Sequence, residues 1–409
     1  MSHETREFFT VRRVSEALAG FRPTRRTAPE EVSLAGARGR VLMADAHAPA
    51  DLPGFARATV DGYAVRARDT YGASEGLPSL LDVHGTVAMG TPPERPVPAG
   101  GALAISTGGA LPPEADAVVM VEHTAETMPD TVELMRPAAP GDGAVRPDED
   151  VPAGGLLAQA GRRLRPQDLG LLAAAGATHL MVHARPRVAV VSTGDELVPA
   201  GKVPPPGRVR DSTAAGLAAL VEEAGGVAEP WGIVPDDREQ LAAVLAQAVA
   251  VSDAVVVSAG SSVGARDATA AAVAALGPPG IWCHGLRLKP GKPTLLAEAG
   301  DVPVIGLPGN PQSALVVFRL LGRDIVRRVG GCMHPPVRAT VRARLERDVP
   351  SVAGRFDVVQ ARLDGDLAVP VFGRSALLSP LVGADGFFFV DEDAGGLYAG
   401  TEVEVEPYA

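Results

Sequence analysis

Arg187-Val188-Ala189-Val190-Val191-Ser192-Thr193-Gly194-Asp195-Glu196 is the stretch that decides the fold. An almost unbroken apolar run ends in a small-residue turn and two carboxylates. Strands covered on both faces read this way, whereas a strand with one wet face alternates. The pattern recurs twice. Ala254 to Val257 leads into Ser258-Ala259-Gly260-Ser261-Ser262-Val263-Gly264, and Val302 to Ile305 into Gly306-Leu307-Pro308-Gly309-Asn310-Pro311. Helical spacing fills the intervals. Leu217, Leu220, Val221 and Ala224 mark one helix; Leu241, Val244, Leu245 and Ala248 mark the next, with Asp237 as N-cap and Gln240 three residues on. A further helix begins with Asn310 as cap and Pro311 at its first position, and runs through Phe318 and Leu321. Apolar strands alternating with helices predict a doubly wound, parallel α/β domain over residues 184–331.

Outward from this centre the pattern changes. Val11, Val14, Leu18 and Phe21 fall at helical spacing, and Gly20 and Pro23 close that helix. Residues 27–144 hold short β-type runs (Val60 to Val65, Leu103 to Ser106, Ala117 to Val121) between Pro/Gly clusters, which predicts an irregular β-rich domain. Beyond Pro335-Pro336 the alternation of Ala339 to Arg342, Phe356 to Val359, Phe387 to Val390 and Glu402 to Glu406 predicts a C-terminal β-barrel or sandwich over 335–409.

Composition sets limits. A chain of 409 residues exceeds one simple core, so two to four domains are expected. The net charge of −11 lacks the basic footprint of a nucleic-acid binder. Two cysteines without CxxC or zinc spacing predict a reduced, cytosolic protein, with Cys283 a packed core thiol. No apolar run reaches a membrane span; Leu169 to Val182 comes nearest and is broken by Thr178 and His179.

Ligands of open α/β sheets bind beyond the carboxyl ends of the strands. Four loops converge there. Asp195 and Glu196 follow the first strand; Ser261, Ser262, Gly264 and Asp267 the second; Pro308, Gly309, Asn310, Pro311 and Ser313 the third. Lys289-Pro290-Gly291-Lys292-Pro293 leaves the run Ile281 to Leu288. Two ammonium groups beside stiff backbone turns suit an anionic small molecule. Each residue also has an ordinary role: Asp267 as N-cap of an Ala-rich helix, Ser313 as a cap, Glu196 as a solvated turn residue, the lysines as surface charge. Asp195-Glu196 and Asp236-Asp237 offer the oxygen donors that Mg²⁺ takes. The chain has no GxxxxGK[ST], GxGxxG, nucleophile elbow or HExxH, which removes the simple NTPase, dehydrogenase, serine hydrolase and zincin readings.

Five ordered motifs carry a resemblance: Thr59-Val60-Asp61-Gly62-Tyr63-Ala64-Val65, Ser192-Thr193-Gly194-Asp195-Glu196-Leu197, Ser261 to Gly264 with Asp267, Lys289 to Pro293, and Gly306 to Ser313. Together they resemble the molybdopterin molybdenumtransferase family, MoeA in bacteria and the gephyrin E domain in animals, along nearly the whole chain. The resemblance implies four domains: a discontinuous helical linker domain (6–26 and 145–183), the β-rich domain (27–144), a MogA-like α/β domain (184–331) and the C-terminal barrel (335–409). It implies insertion of molybdate into adenylylated molybdopterin with release of AMP, assisted by Mg²⁺. It also implies a homodimer whose active site is shared between subunits, with transient contacts to the adenylyltransferase and to molybdoenzyme-maturation proteins.

By the same resemblance, Asp61 acts from the partner subunit, with Thr107 and Asp150 nearby. Glu196, Asp267, Lys289 and Lys292 complete the catalytic set; with Asp237, taken from the Asp236-Asp237 donor pair rather than from the family, Glu196 and Asp267 are the candidate metal ligands. Pro308 and Pro311 shape the wall, and Ser375 approaches from the barrel. Ala259 stands where the family usually has Gly; a positive φ there would cost ~1 kcal/mol. Two rival readings are a molybdopterin adenylyltransferase and a non-catalytic dimeric scaffold.

Overall fold

The computed structural model describes residues 11–259 and 263–408, leaving aside the side chains of 263–267. The chain divides into two compact units, one holding residues 45–159 and 166–178, the other residues up to 44, 160–165 and from 179 onward.

The 45–159 unit is built on a six-stranded sheet in the order Ala117–Met120, Gly62–Val65, Gly101–Ile105, Ser79–Thr86, Thr131–Leu134, Thr124–Met128. Alternate residues of its central strands feed two small cores. Tyr63, Val65, Ala102 and Val119 pack with Leu81, Val132 and Leu134, while Ala64, Ile105 and Val118 pack with Ala58 and Val87. Gly62 sits in the middle of the Asp61-Gly62-Tyr63 motif for a steric reason. A Cβ there would lie 1.9 Å from the Val119 carbonyl oxygen of the neighbouring strand.

The larger unit contains the α/β sheet, in the order Val227–Val234, Arg187–Thr193, Ala254–Ser258, Val302–Leu307, Leu295–Ala299, Pro279–His284. Its first four strands are parallel, as the apolar runs predict. Leu295–Ala299 runs antiparallel to both its neighbours, so the sheet is mixed. The reason is local: only Gly300 (φ +60°) and Asp301 separate Leu295–Ala299 from Val302–Leu307, and so short a connection permits only a hairpin. Successive residues of the central strands point into different cores. Val188, Val190, Val256 and Ile305 pack with Leu217, Val221 and Val326 on one face. Ala189, Val191, Val255, Val257 and Val304 pack with Leu241, Leu245 and Val273 on the other. Helices therefore cover both faces, the doubly wound arrangement.

The barrel is closed. Phe356–Asp364, Leu367–Val371, Val341–Leu345, Glu402–Pro407 and Gly386–Val390 pair in turn, and the last pairs back with the first. Ala343, Leu345, Ala361, Phe388 and Val405 fill it. A sixth short strand, Leu288–Lys289, pairs in parallel with Phe356–Asp357. The apolar run Ile281 to Leu288 is thus not one strand; it ends in the sheet at His284 and restarts on the barrel wall.

Domain boundaries shift from the sequence expectation. Pro29–Ser33 pairs with His179–His183, which also pairs with Val41–Leu42, so residues 27–44 belong with the linker strands and not with the β-rich module. The pairing joins segments about 150 residues apart, which no local pattern reveals. Among the described residues no helix is long and apolar enough to cross a membrane.

Candidate active site

Sequence and sheet topology bring two of the four loops together with the barrel rim. The Lys289 loop, the Gly306 loop and the rim around Arg374 line one cleft of about 780 Å³. Lys289, Lys292, Pro308, Gly309, Asn310, Ser313 and Ser375 all lie on its wall. Gly291 allows the lysine turn to sit there. Its φ is +128°, and a Cβ would come within 2.5 Å of Val317 Cγ2. Thr294 Oγ1 donates to the Gly291 carbonyl at 2.7 Å and closes the turn. The strand pairing sets Lys289 opposite Asp357, and Lys289 Nζ lies 3.9 Å from Asp357 Oδ2.

Asp357 itself is buried and is held by both ends of the Arg355 guanidinium, at 2.6 and 2.9 Å. It is therefore the internal counter-ion of a wall that carries Lys289, Lys292, Arg355 and Arg374. Three of those four charges remain uncompensated within the cleft, which favours an anionic ligand. Two buried amides also line it. Gln312 Oε1 and Gln360 Nε2 are enclosed without a hydrogen-bond partner, although Gln360 Oε1 accepts from the Tyr408 hydroxyl. Arg355, Asp357, Gln312 and Gln360 were not singled out from sequence. The available signal was Arg355 and Asp357 flanking Phe356, charges set just ahead of the apolar pair Val358-Val359.

The Gly306 loop differs in detail from expectation. Asn310 has N-cap backbone geometry but no capping side chain; its Nδ2 donates to Ser375 Oγ at 2.9 Å. The Gln312 amide donates to the Ser375 carbonyl at 3.2 Å, so the barrel loop itself occupies part of the helix N-terminus. Pro311 occupies the first position of the Pro311–Val317 helix, which continues through a π-helical turn, Phe318–Gly322, into Arg323–Val329.

The carboxylates are grouped apart from the lysines. Glu196 follows the Arg187–Thr193 strand, two ladder steps from Val302–Leu307, or about 10 Å along the sheet. Its side chain folds over Gly194: a Cβ on that glycine would lie 2.5 Å from Glu196 Oε2. Asp195 Oδ1 accepts from the Asp236 amide at 3.2 Å. Burial raises the pKa of Asp236, and the negative charges of Glu196 and Asp195 raise it further.

Asp237 does something else. Its Oδ1 accepts from the Gln240 amide at 2.8 Å and caps its own helix, as its spacing predicted. Asp236, the neighbouring carboxylate, is the one whose pKa is raised by Glu196. Among the described residues no three Asp, Glu, His or Cys side chains are close enough to enclose a metal. Asp267 lies inside the Val263–Ala274 helix and not at its N-cap. Its side chain and residues Ser261 and Ser262 lie outside the described residues, and Gly264 lies in the first turn of the same helix. Ala259 is not among the residues with positive φ, so the expected penalty does not arise.

In the other unit, Asp61 and Thr107 form a pair. The Thr107 amide donates to Asp61 Oδ1 at 2.7 Å and its hydroxyl donates to the same oxygen at 3.0 Å. These bonds, the amide first, hold the Asp61 carboxyl below the usual carboxylate range although it is fully exposed. Asp150 is exposed on the same unit, and its amide donates to the Leu52 carbonyl at 3.0 Å.

Three family descriptions match in sequence order: "MoeA N-terminal region (domain I and II)" over residues 12–176, "Probable molybdopterin binding domain" over 189–328, and "MoeA C-terminal region (domain IV)" over 342–408. Molybdopterin molybdenumtransferase 2 of Mycobacterium tuberculosis is 35% identical over 384 residues, covering 92% of this chain and 94% of the relative. The chain belongs to the MoeA family. The molybdopterin molybdenumtransferase of Haemophilus influenzae is 30% identical over 388 residues, covering 93% and 94%. A solved MoeA structure from Pyrococcus horikoshii superposes with a TM-score of 0.77 at 38% identity, covering 97% of this chain and 99% of that one. The lysine cleft is thus built from the molybdopterin-binding and C-terminal regions of the family, and the Asp61–Thr107 pair from its N-terminal region.

Proposed function

We propose that this chain is a molybdopterin molybdenumtransferase that inserts molybdate into the dithiolene of adenylylated molybdopterin and releases AMP. The observation that carries the reading is the cleft in which Lys289 and Lys292 stand with the Gly306 loop and Ser375 on one wall. Both lysines are exposed to an incoming anion, and only Lys289 has a carboxylate within 4 Å. They neutralise the terminal phosphate and phosphoanhydride of the substrate as charge shifts toward the leaving AMP. Asn310 fixes the Ser375 hydroxyl as an oriented polar group, and the buried amides of Gln312 and Gln360 offer an acceptor and a donor to uncharged parts of the ligand. No protein thiol takes part; Cys283 and Cys332 are buried and form no disulfide, and burial pushes the Cys283 thiol up to about 11. Buried thiols outside any disulfide suit a cytosolic enzyme.

Asp195, Glu196 and Asp236 fit Mg²⁺ by donor type, and their mutual repulsion is what a cation relieves. Since the described carboxylates enclose no metal alone, water and substrate phosphate complete the shell in this reading. Bound there, the ion supplies charge neutralisation of the phosphoanhydride. Asp61 of the partner subunit completes the site of a homodimer, and Thr107 keeps that carboxylate ionised.

Incubation with adenylylated molybdopterin and molybdate tests this. Wild type releases AMP in step with molybdenum insertion and consumes no ATP. Lys292→Ala lowers the rate about 100-fold or more, the scale of losing one charge-stabilising group, with an unchanged unfolding midpoint. ATP consumption without insertion would favour the adenylyltransferase reading; a folded dimer inactive in both assays would favour the scaffold.

A further inference from the structure

A second pocket, of about 370 Å³, opens beside Pro186, Ala224 and Gly225, next to the first residues of the strands Arg187–Thr193 and Val227–Val234. This is the amino-terminal edge of the sheet, opposite the loops of the catalytic cleft. Five arginines line it: Arg38, Arg40, Arg163, Arg185 and Arg327. Their compensation is incomplete. Arg40 pairs with Glu30 and donates to the His183 carbonyl at 3.0 Å. Arg327 reaches Asp324 only at 3.4 Å, and its Nε is buried without a hydrogen-bond partner.

Arg163 donates from Nε to the Gly39 carbonyl at 3.1 Å, and Arg185 from Nε to the Gly225 carbonyl at 3.3 Å. Neither pairs with a carboxylate, and Arg38 makes no hydrogen bond or ion pair among the described residues. Glu222 is the one carboxylate among the described lining residues, and it forms no ion pair with any of them. Carbonyl acceptors orient guanidinium groups without cancelling their charge. The catalytic cleft carries its counter-ion Asp357 on its own wall; here Glu30 and Asp324, the partners of Arg40 and Arg327, do not line the pocket. The crowding is felt at Arg327, whose pKa is lowered first by burial and then by Arg323 and Arg163.

We propose that this pocket binds a phosphate-type oxyanion, free or as the phosphate of a small ester, at a site separate from the catalytic cleft. Guanidinium forks match tetrahedral oxyanions through paired charge-assisted bonds, and arginines from four chain segments surround the ligand position. The volume lies within the range of small-molecule sites and exceeds what a lone oxyanion fills, leaving room for an organic group.

Isothermal titration with inorganic phosphate tests the proposal, with chloride matching the ionic strength throughout. The full chain carries Lys289→Ala, Lys292→Ala and Arg374→Gln, which leaves the catalytic cleft only Arg355, already paired with Asp357. The expected result is saturable binding, weakened about tenfold or more by adding Arg38→Gln and Arg163→Gln. Arg38→Gln alone serves as a second variant, since Arg38 is exposed and makes no internal bond; it retains the fold and weakens binding severalfold. AMP and inorganic phosphate as separate titrants distinguish an ester from the free ion: tighter AMP binding assigns the organic group to the pocket, and equal binding assigns the free oxyanion. Absence of saturable binding by either titrant, or binding unchanged by the arginine substitutions, overturns the proposal. Both failures leave AMP release by the wild-type protein untouched, so this site and the proposed activity are tested apart.

Discussion

The lysine wall and the carboxylate group at Glu196 lie on the same edge of one sheet yet are built in opposite ways. Lys289 is anchored by a strand pairing to the barrel and faces a buried counter-ion, Asp357, fixed in turn by Arg355. Asp195, Glu196 and Asp236 stand on turns, linked by one side-chain to backbone hydrogen bond, with like charges raising the pKa of Asp236. The first arrangement holds its geometry before any ligand arrives. The second stays under like-charge repulsion, which a bound cation would relieve. A site that must bind a highly charged anion gains from a rigid cationic wall, because reorganising the wall during reaction would erase its electrostatic benefit.

The contrast can be broken most strongly at Gly291. With φ at +128° and no room beside Val317 and Leu288, Gly291→Ala should lower stability by about 2–3 kcal/mol, read as a shift in the urea midpoint. An unchanged midpoint would mean that the lysine turn is not pinned as described.

Asp357→Asn probes the counter-ion. Loss of the carboxylate facing Arg355 should cost about 1–2 kcal/mol, less than for a fully buried pair because Arg355 is 32% exposed. Thermal unfolding should show Asp357→Glu between wild type and Asn; equal midpoints for all three would remove Asp357 from its role.

The carboxylate group should respond least and in the opposite direction. The folded pKa of Asp236 is raised, so the folded protein binds that proton more readily than the unfolded chain. Stability therefore falls as pH rises from the unfolded value through the folded one, and the repulsion is fully present at neutral pH. Asp236→Asn should stabilise by a few tenths of a kcal/mol at pH 7, and the difference should vanish in acid, as unfolding midpoints across pH will show. Destabilisation at pH 7 would contradict the repulsion.

Much of the site was legible because short motifs carry their own reasons. Gly62 and Gly291 are required by close approach, Asp237 caps at the spacing that predicts it, and the lysines flank a turn that only glycine allows. What local pattern missed was set by distant pairing. Asn310 reads as a cap, but Ser375, 65 residues on, takes its side chain. Asp237 reads as a metal ligand beside Asp236, and the structure gives one of its oxygens, Oδ1, to the cap of its own helix.

The sequence by itself determined the apolar strands, the helices between them and the loops beyond the strand ends, because burial on both faces and helical periodicity are local properties of the chain. Only the tertiary structure decided which charges meet. The barrel strand sets Asp357 opposite Lys289, and arginines from residues 38–40, 163, 185 and 327 gather around one pocket. Electrostatic partners act through space, so their pairing depends on strand register and chain crossing that residue order alone does not encode.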